Sequence, residues 1–161
     1  MGTPLAPFEF WNCFACSPNH PKGLRLTFEE VGLRVRTSFH LGDDYTGTGG
    51  VIHGGIIATV FDEAMAWCLL RFEKKLHFTT KLEARYRKPI RPHVDLVAEA
   101  WIVQVRRRGL VEMAASLAAA DAPDLPLAQA TAVFVQAPAE VLAGLPAAEI
   151  DEMERILATF D

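Results

Sequence analysis

Gly49 to Phe72 reads GGVIHGGIIATVFDEAMAWCLLRF, and the rest of the chain is organised around it. It opens as a glycine-rich loop and continues as an apolar segment of helical length, expected from about Gly54 to Phe72. From Ile56 to Leu70 apolar residues occupy every face, a pattern of a helix buried on all sides rather than along one stripe. Asp62 and Glu63 interrupt it. Carboxylates are rarely buried without a partner or a purpose, so this pair is the first candidate for chemistry.

The flanking sequence alternates with the period of strands. Leu24 to Phe28 and Leu33 to Phe39 each alternate apolar and polar residues, and Glu29-Glu30-Val31-Gly32 reads as the turn of a hairpin between them. Beyond the helix, Phe78 to Lys88 alternates, with Thr80, Leu82, Ala84 and Tyr86 on one side. Leu96 to Val105 follows, then a turn at Arg106-Arg107-Arg108-Gly109. Leu110 to Ala120 is alanine-rich, yet its place between strands predicts a strand. Leu127 to Val135 is the last strand, and Ala139 to Leu142 and Ala147 to Phe160 read as helices. Two strands, one long helix, four strands and a helical tail make an α+β domain, its helix packed on a largely antiparallel sheet. Residues 1–23 form an irregular lead-in, 24–137 the main domain and 138–161 a helical extension. The far face of such a sheet needs cover, which predicts oligomerisation.

Bulk properties exclude several classes. The chain has 161 residues, of which 50% are hydrophobic and 22% charged, with a net charge of −4. That composition fits one globular domain and gives no electrostatic footprint for nucleic acid. No apolar run reaches the roughly 20 residues that span a bilayer. The N-terminus lacks the basic start and long apolar stretch of a secretory signal, and three cysteines do not make a disulfide framework, so a reducing, cytoplasmic setting is expected. Cys13-Phe14-Ala15-Cys16 and His20 have the look of half a metal site or a redox pair. With no second CxxC or HxxxH to complete four ligands, the segment is read as packing, and no metal or redox cofactor is expected.

Gly54 and Gly55 open the helix, where the first amide N–H groups lack intrahelical acceptors and the helix dipole is positive. Such an end can hold an anion or a developing oxyanion, and glycine lets a carbonyl approach the backbone. Asp62 lies about 12 Å further along the same helix. If both act on one bond, the acid comes from a second subunit.

The arrangement Gly50-x-x-His53-Gly54-Gly55, with Asp62 nine residues after the histidine, resembles the hotdog-fold acyl-CoA thioesterases. It is most similar to the small phenylacetate-pathway-type enzymes. Cys13 to Cys16 with Pro21-Lys22-Gly23-Leu24-Arg25-Leu26, and the strand from Thr79 to Pro89, also match that superfamily. The resemblance covers roughly residues 12–136. It implies a sheet wrapped round the helix, a homodimer that often pairs into a homotetramer, and active sites at the dimer interface. It also implies hydrolysis of an acyl-CoA: the amide of Gly54, with Gly55, polarises the thioester carbonyl, Asp62 of the partner subunit acts as general base or nucleophile, and Thr79 positions the water. Some relatives carry an Asn six residues before the histidine as a second oxyanion donor; here that position is Gly47, and Thr46 or Thr48 is the candidate substitute. His53 shapes the loop through hydrogen bonds. It is assigned to the substrate-binding set with Gly47, Glu63 and Thr80, Glu63 also being the alternative base. Arg87, Lys88 and the run Arg106, Arg107 and Arg108 join that set, because guanidinium forks suit the phosphates of coenzyme A. Competing readings are a non-catalytic acyl-CoA-binding protein, an enoyl-acyl hydratase or dehydratase of the same fold, and a thiol redox or zinc protein built on Cys13 and Cys16, which a stoichiometric metal in the purified protein would support.

Overall fold

The computed structural model describes residues 2–160. Seven strands form one antiparallel sheet: β1 (Thr3–Pro4), β2 (Glu29–Val31), β3 (Arg34–His40), β4 (His77–Tyr86), β5 (Asp95–Val105), β6 (Leu110–Ala119) and β7 (Ala128–Gln136). Their order across the sheet is β1-β2-β3-β5-β6-β7-β4. Helix α1 (Gly54–Glu73) lies on the concave face, and α2 (Ala139–Ala143) and α3 (Ala147–Leu157) follow the last strand. This is the hotdog arrangement that the resemblance implies.

Small residues explain how the helix fits. Across three adjacent strands, Ala100 faces Ala115 and Ala115 faces Ala130, all buried. Alanines on the inner face leave room for Ile57, Phe61, Met65 and Leu69 of α1, which are fully buried. The alanine-rich segment is therefore a strand as expected, because the helix needs a shallow floor there more than the segment needs its own helical propensity.

Three parts of the sequence reading are corrected. Leu24 to Phe28 is not a ladder strand; its Leu24 and Leu26 amides instead bond to the carbonyls of Phe14 and Ala15 at 2.9 Å each. Glu29–Val31 is strand rather than turn, because its carboxylates find cations: Glu30 meets Arg71 at 2.6 Å and Glu29 meets Arg36 at 3.7 Å. The turn falls at Gly32, where φ is +62° and glycine is the residue that tolerates it. Finally, α1 is not closed all round. Gly55, Thr59 and Asp62 form a stripe that stays partly open in the single chain.

The lead-in is packed, not loose. Phe8 and Phe28 flank Trp67 of α1 with ring centroids 5.2 and 5.1 Å away. From the other end of the chain, α3 fastens it: buried Glu152 accepts the amides of Glu9 at 2.6 Å and Phe10 at 2.9 Å. Trp11 donates to the carbonyl of Glu149.

Candidate active site

The loop before α1 is shaped by its glycines and closed by its histidine. Gly49 and Gly50 both have positive φ, and Arg91 donates to their carbonyls. His53 is the N-cap of α1, its Nδ1 accepting the amide of Gly55 at 2.9 Å. That bond withdraws the Gly55 N–H from the pair of donors the sequence offered. The Gly54 N–H has no acceptor among the described residues, so one open amide stands at the positive end of the helix.

Beside it is a cleft of about 290 Å³ lined by Ile52, Gly54, Tyr86, Arg87, Lys88 and Ile90, among others. Tyr86 donates its hydroxyl to the Gly54 carbonyl at 2.7 Å. A Cβ on Gly54 would meet the Tyr86 ring at 3.4 Å, an ordinary contact distance, so Tyr86 lies directly against the helix start. Gly47 is tighter: a Cβ at this position would lie 3.1 Å from the His53 ring, so a larger residue such as the asparagine that the resemblance expects needs the ring to shift by a few tenths of an ångström. Thr46 does not replace it, since its hydroxyl is spent on the Asp43 carbonyl.

Two turns along the helix, Asp62 is half-exposed, and Thr79 of β4 donates to its Oδ1 at 2.5 Å. A β-bulge makes this possible. Thr79 pairs with Phe134 but Lys81 pairs with Val133, leaving Thr80 as the extra residue. Thr79 and Leu82 thereby both face the helix, three positions apart instead of two. The strict alternation that put Thr80 on that side is overturned: Thr80 turns its hydroxyl to the Val133 carbonyl at 2.9 Å.

Glu63 does not join Asp62. It points under the lead-in, where its Oε1 lies 3.6 Å from Cys13 Sγ and accepts the Trp67 indole N–H at 3.1 Å. Burial, with the neighbouring Cys13 sulfur adding to it, pushes the Glu63 carboxyl up to about 7. The hydrogen bond from Cys16 holds the Cys13 thiol down to about 5, and the same bond raises Cys16.

The two basic groups lie apart. Arg87 and Lys88 line the cleft at Gly54, and Arg87 bonds Gln129 at 2.7 Å. The run Arg106 to Arg108 sits in the β5–β6 turn, with Arg106 paired to Glu112. Leu110 there pairs with Val135, itself opposite Phe78 at the start of β4. Phe78 to Tyr86 is eight residues, so about 26 Å separates this turn from the cleft within one chain.

Comparison with known proteins agrees with the fold. Residues 49–112 match the thioesterase superfamily model. Among solved structures, a thioesterase superfamily protein is 22% identical with a TM-score of 0.70, over 77% of this chain and 60% of its own. The chain thus spans about three fifths of that relative. A phenylacetic acid degradation-related protein from Ralstonia eutropha is 17% identical with a TM-score of 0.62, over 73% and 89%. A hypothetical thioesterase from Streptococcus pneumoniae, solved with coenzyme A, is 16% identical with a TM-score of 0.59, over 64% and 80%. No functionally curated protein matches in sequence. Among the described residues, no helix is long and apolar enough to cross a membrane.

Proposed function

We propose that this chain, which has the hotdog fold and matches the thioesterase superfamily model over residues 49–112, hydrolyses an acyl-CoA thioester to the free acid and coenzyme A. The observation that carries this is Asp62, a half-open carboxylate midway along a largely apolar helix, held by the Thr79 hydroxyl. The same helix presents an unclaimed amide, Gly54 N–H, over an apolar cleft.

In this reading the Gly54 amide N–H donates to the thioester carbonyl oxygen and stabilises the oxyanion as it forms. Asp62 takes a proton from water as the oxygen attacks the carbonyl carbon. The tetrahedral intermediate then collapses, the C–S bond breaks and the departing thiolate receives the proton from Asp62. Direct attack by the Asp62 carboxylate, through an anhydride, is the other route open to the same residue.

Gly54 and Asp62 are eight residues apart, roughly 12 Å along one helix. One thioester does not reach both, so the acid of each site belongs to the partner of a homodimer. The exposed edge strand β4, which carries Thr79, Phe78 and Tyr86, supports that arrangement. Arg87 and Lys88 at the cleft suit the phosphates of coenzyme A.

The test is thiol release from a panel of aromatic, short-chain and medium-chain acyl-CoAs, comparing wild type with Asp62→Asn. The variant is expected to lose at least about two orders of magnitude in kcat, the scale of a removed acid–base group. Near-normal release in that variant would remove Asp62 from the chemistry. Binding of acyl-CoA by the wild type with no release would convert the assignment to a binding protein.

A further inference from the structure

The lead-in carries a second constellation that the hydrolytic reading does not use. Cys13, Cys16 and Glu63 bring two sulfur atoms and a carboxylate oxygen together, all within 4.8 Å of one another. Cys13 and Cys16 come from one tight turn and Glu63 from α1, fifty residues on. The turn is rigid: the Cys16 amide points at Cys13 Sγ at 3.4 Å, and the Ser17 amide bonds the Cys13 carbonyl at 3.1 Å. Residues 24–26 brace its outer side through the bonds to Phe14 and Ala15.

A tetrahedral zinc ion has bonds of roughly 2.3 Å to thiolate and 2.0–2.2 Å to carboxylate, which sets ligand–ligand separations of roughly 3.5–3.8 Å. Cys13 Sγ to Glu63 Oε1, at 3.6 Å, already has that separation. The carboxylate is also oriented, because the Trp67 indole N–H holds the same oxygen at 3.1 Å. Outer partners of this kind accompany ligating groups. Charge argues in the same direction. Glu63 pairs with no lysine or arginine among the described residues, although it lies largely under the lead-in. This partly buried carboxylate has the Trp67 indole and the Cys13 thiol as partners but no such cation, and a divalent ion would supply the positive charge.

We propose that Cys13, Cys16 and Glu63 form a binding site for a thiophilic divalent cation, zinc by the chemistry of its donors. The fourth position is open to water from the adjoining apolar cleft of about 140 Å³ between Phe8, Trp11, Ala66 and Leu70. Binding displaces the thiol protons to solvent and changes no oxidation state. The ion staples the lead-in to α1 at the residue next to Asp62, in addition to the tether that Glu152 provides. The sequence alone supplied two ligands and no second pair; Glu63 is the third, and it becomes visible only in the fold. His20, near in sequence, is not among the three.

The test uses the full-length protein purified from zinc-replete cells, and its readouts do not depend on thiol release. Elemental analysis is expected to find about one zinc per chain. Cobalt(II) added to the metal-depleted protein is expected to give the thiolate charge-transfer and d–d bands of a tetrahedral site. Cys13→Ser, Cys16→Ser and Glu63→Gln should each weaken zinc affinity at least about ten-fold in competition with a chromophoric chelator. Zinc should also raise the unfolding temperature of the wild type and not of Cys16→Ser. Octahedral cobalt spectra without charge transfer would overturn the site. So would full zinc retention by Cys13→Ser, or an intact mass showing a Cys13–Cys16 disulfide in the protein as purified.

Discussion

Thr79 Oγ1 donates to Asp62 Oδ1 at 2.5 Å, and the bond exists because β4 carries one residue more than its partner strand. Without Thr80 as a bulge, alternation would turn Thr79 away from the helix. The bulge thus aims a hydroxyl at the half-open carboxylate of Asp62. Valine at position 79 keeps the β-branched shape and deletes the donor. A hydrogen bond to a charged group is worth about 1.5–3 kcal/mol, so Thr79→Val is expected to lower kcat by about 10- to 150-fold with little change in KM. Thr79→Ser should restore most of the loss. Steady-state kinetics on the three proteins decides this, and an unchanged kcat in Thr79→Val would leave the threonine a strand residue only.

His77 begins the same strand, buried, with its Nδ1 3.0 Å from the Lys75 carbonyl. Burial lowers its pKa below the usual 6.5, against smaller effects from the Lys75 carbonyl and Glu73 that raise it. As pH falls through about 6.5 the unfolded chain takes up the proton before the folded one does. Stability therefore falls with pH below that point and is fully present above it. Melting temperatures between pH 7.5 and 5 should drop less steeply for His77→Gln than for wild type. Equal slopes would show that other groups govern the acid limb.

The helix and its two ends were legible in the sequence for a physical reason. A run of apolar residues marks a buried helix and paired glycines mark its start, whereas the acidic pair Asp62-Glu63 leaves two candidate bases, which the family resemblance ranks. The bulge was not legible, because an extra residue in a strand carries no turn signature; Thr80 looks like any threonine in an alternating run. Glu29 and Glu30 misled for a different reason. Two acids before Val31-Gly32 resemble a turn until Arg71 and Arg36, which neutralise them from elsewhere in the fold, are known. Glu63 could be separated from Asp62 by its angle around the helix, but its partners, Cys13 and Trp67, depend on where the lead-in lies.

What holds that lead-in is Glu152, 2% exposed, accepting the Glu9 and Phe10 amides. Alanine there leaves two N–H groups unsatisfied at a cost of about 2–3 kcal/mol. For a chain of this size that is a fall of about 5–10 °C in Tm. The lead-in should loosen before the sheet does, so trypsin should cut after Lys22 sooner in Glu152→Ala than in wild type. A variant with the wild-type Tm and cleavage rate would mean that the aromatic packing of Phe8 on Trp67 suffices alone.

The proposed sharing of each site between two subunits makes its own demand on β4. This strand ends the sheet, and Phe78 and Tyr86 on it are 41% and 52% exposed in the single chain. An unpaired edge with apolar side chains is a ready surface for a second copy, and charge on an edge strand blocks such pairing. Phe78→Lys is therefore expected to shift the protein to monomer by light scattering and to abolish thiol release together, although Phe78 touches neither Gly54 nor Asp62 in the proposed chemistry. Asp62→Asn should lose activity and keep the oligomer. The two variants separate assembly from chemistry, and a monomeric Phe78→Lys that still releases thiol at the wild-type rate would place Gly54 and Asp62 in independent roles within one chain.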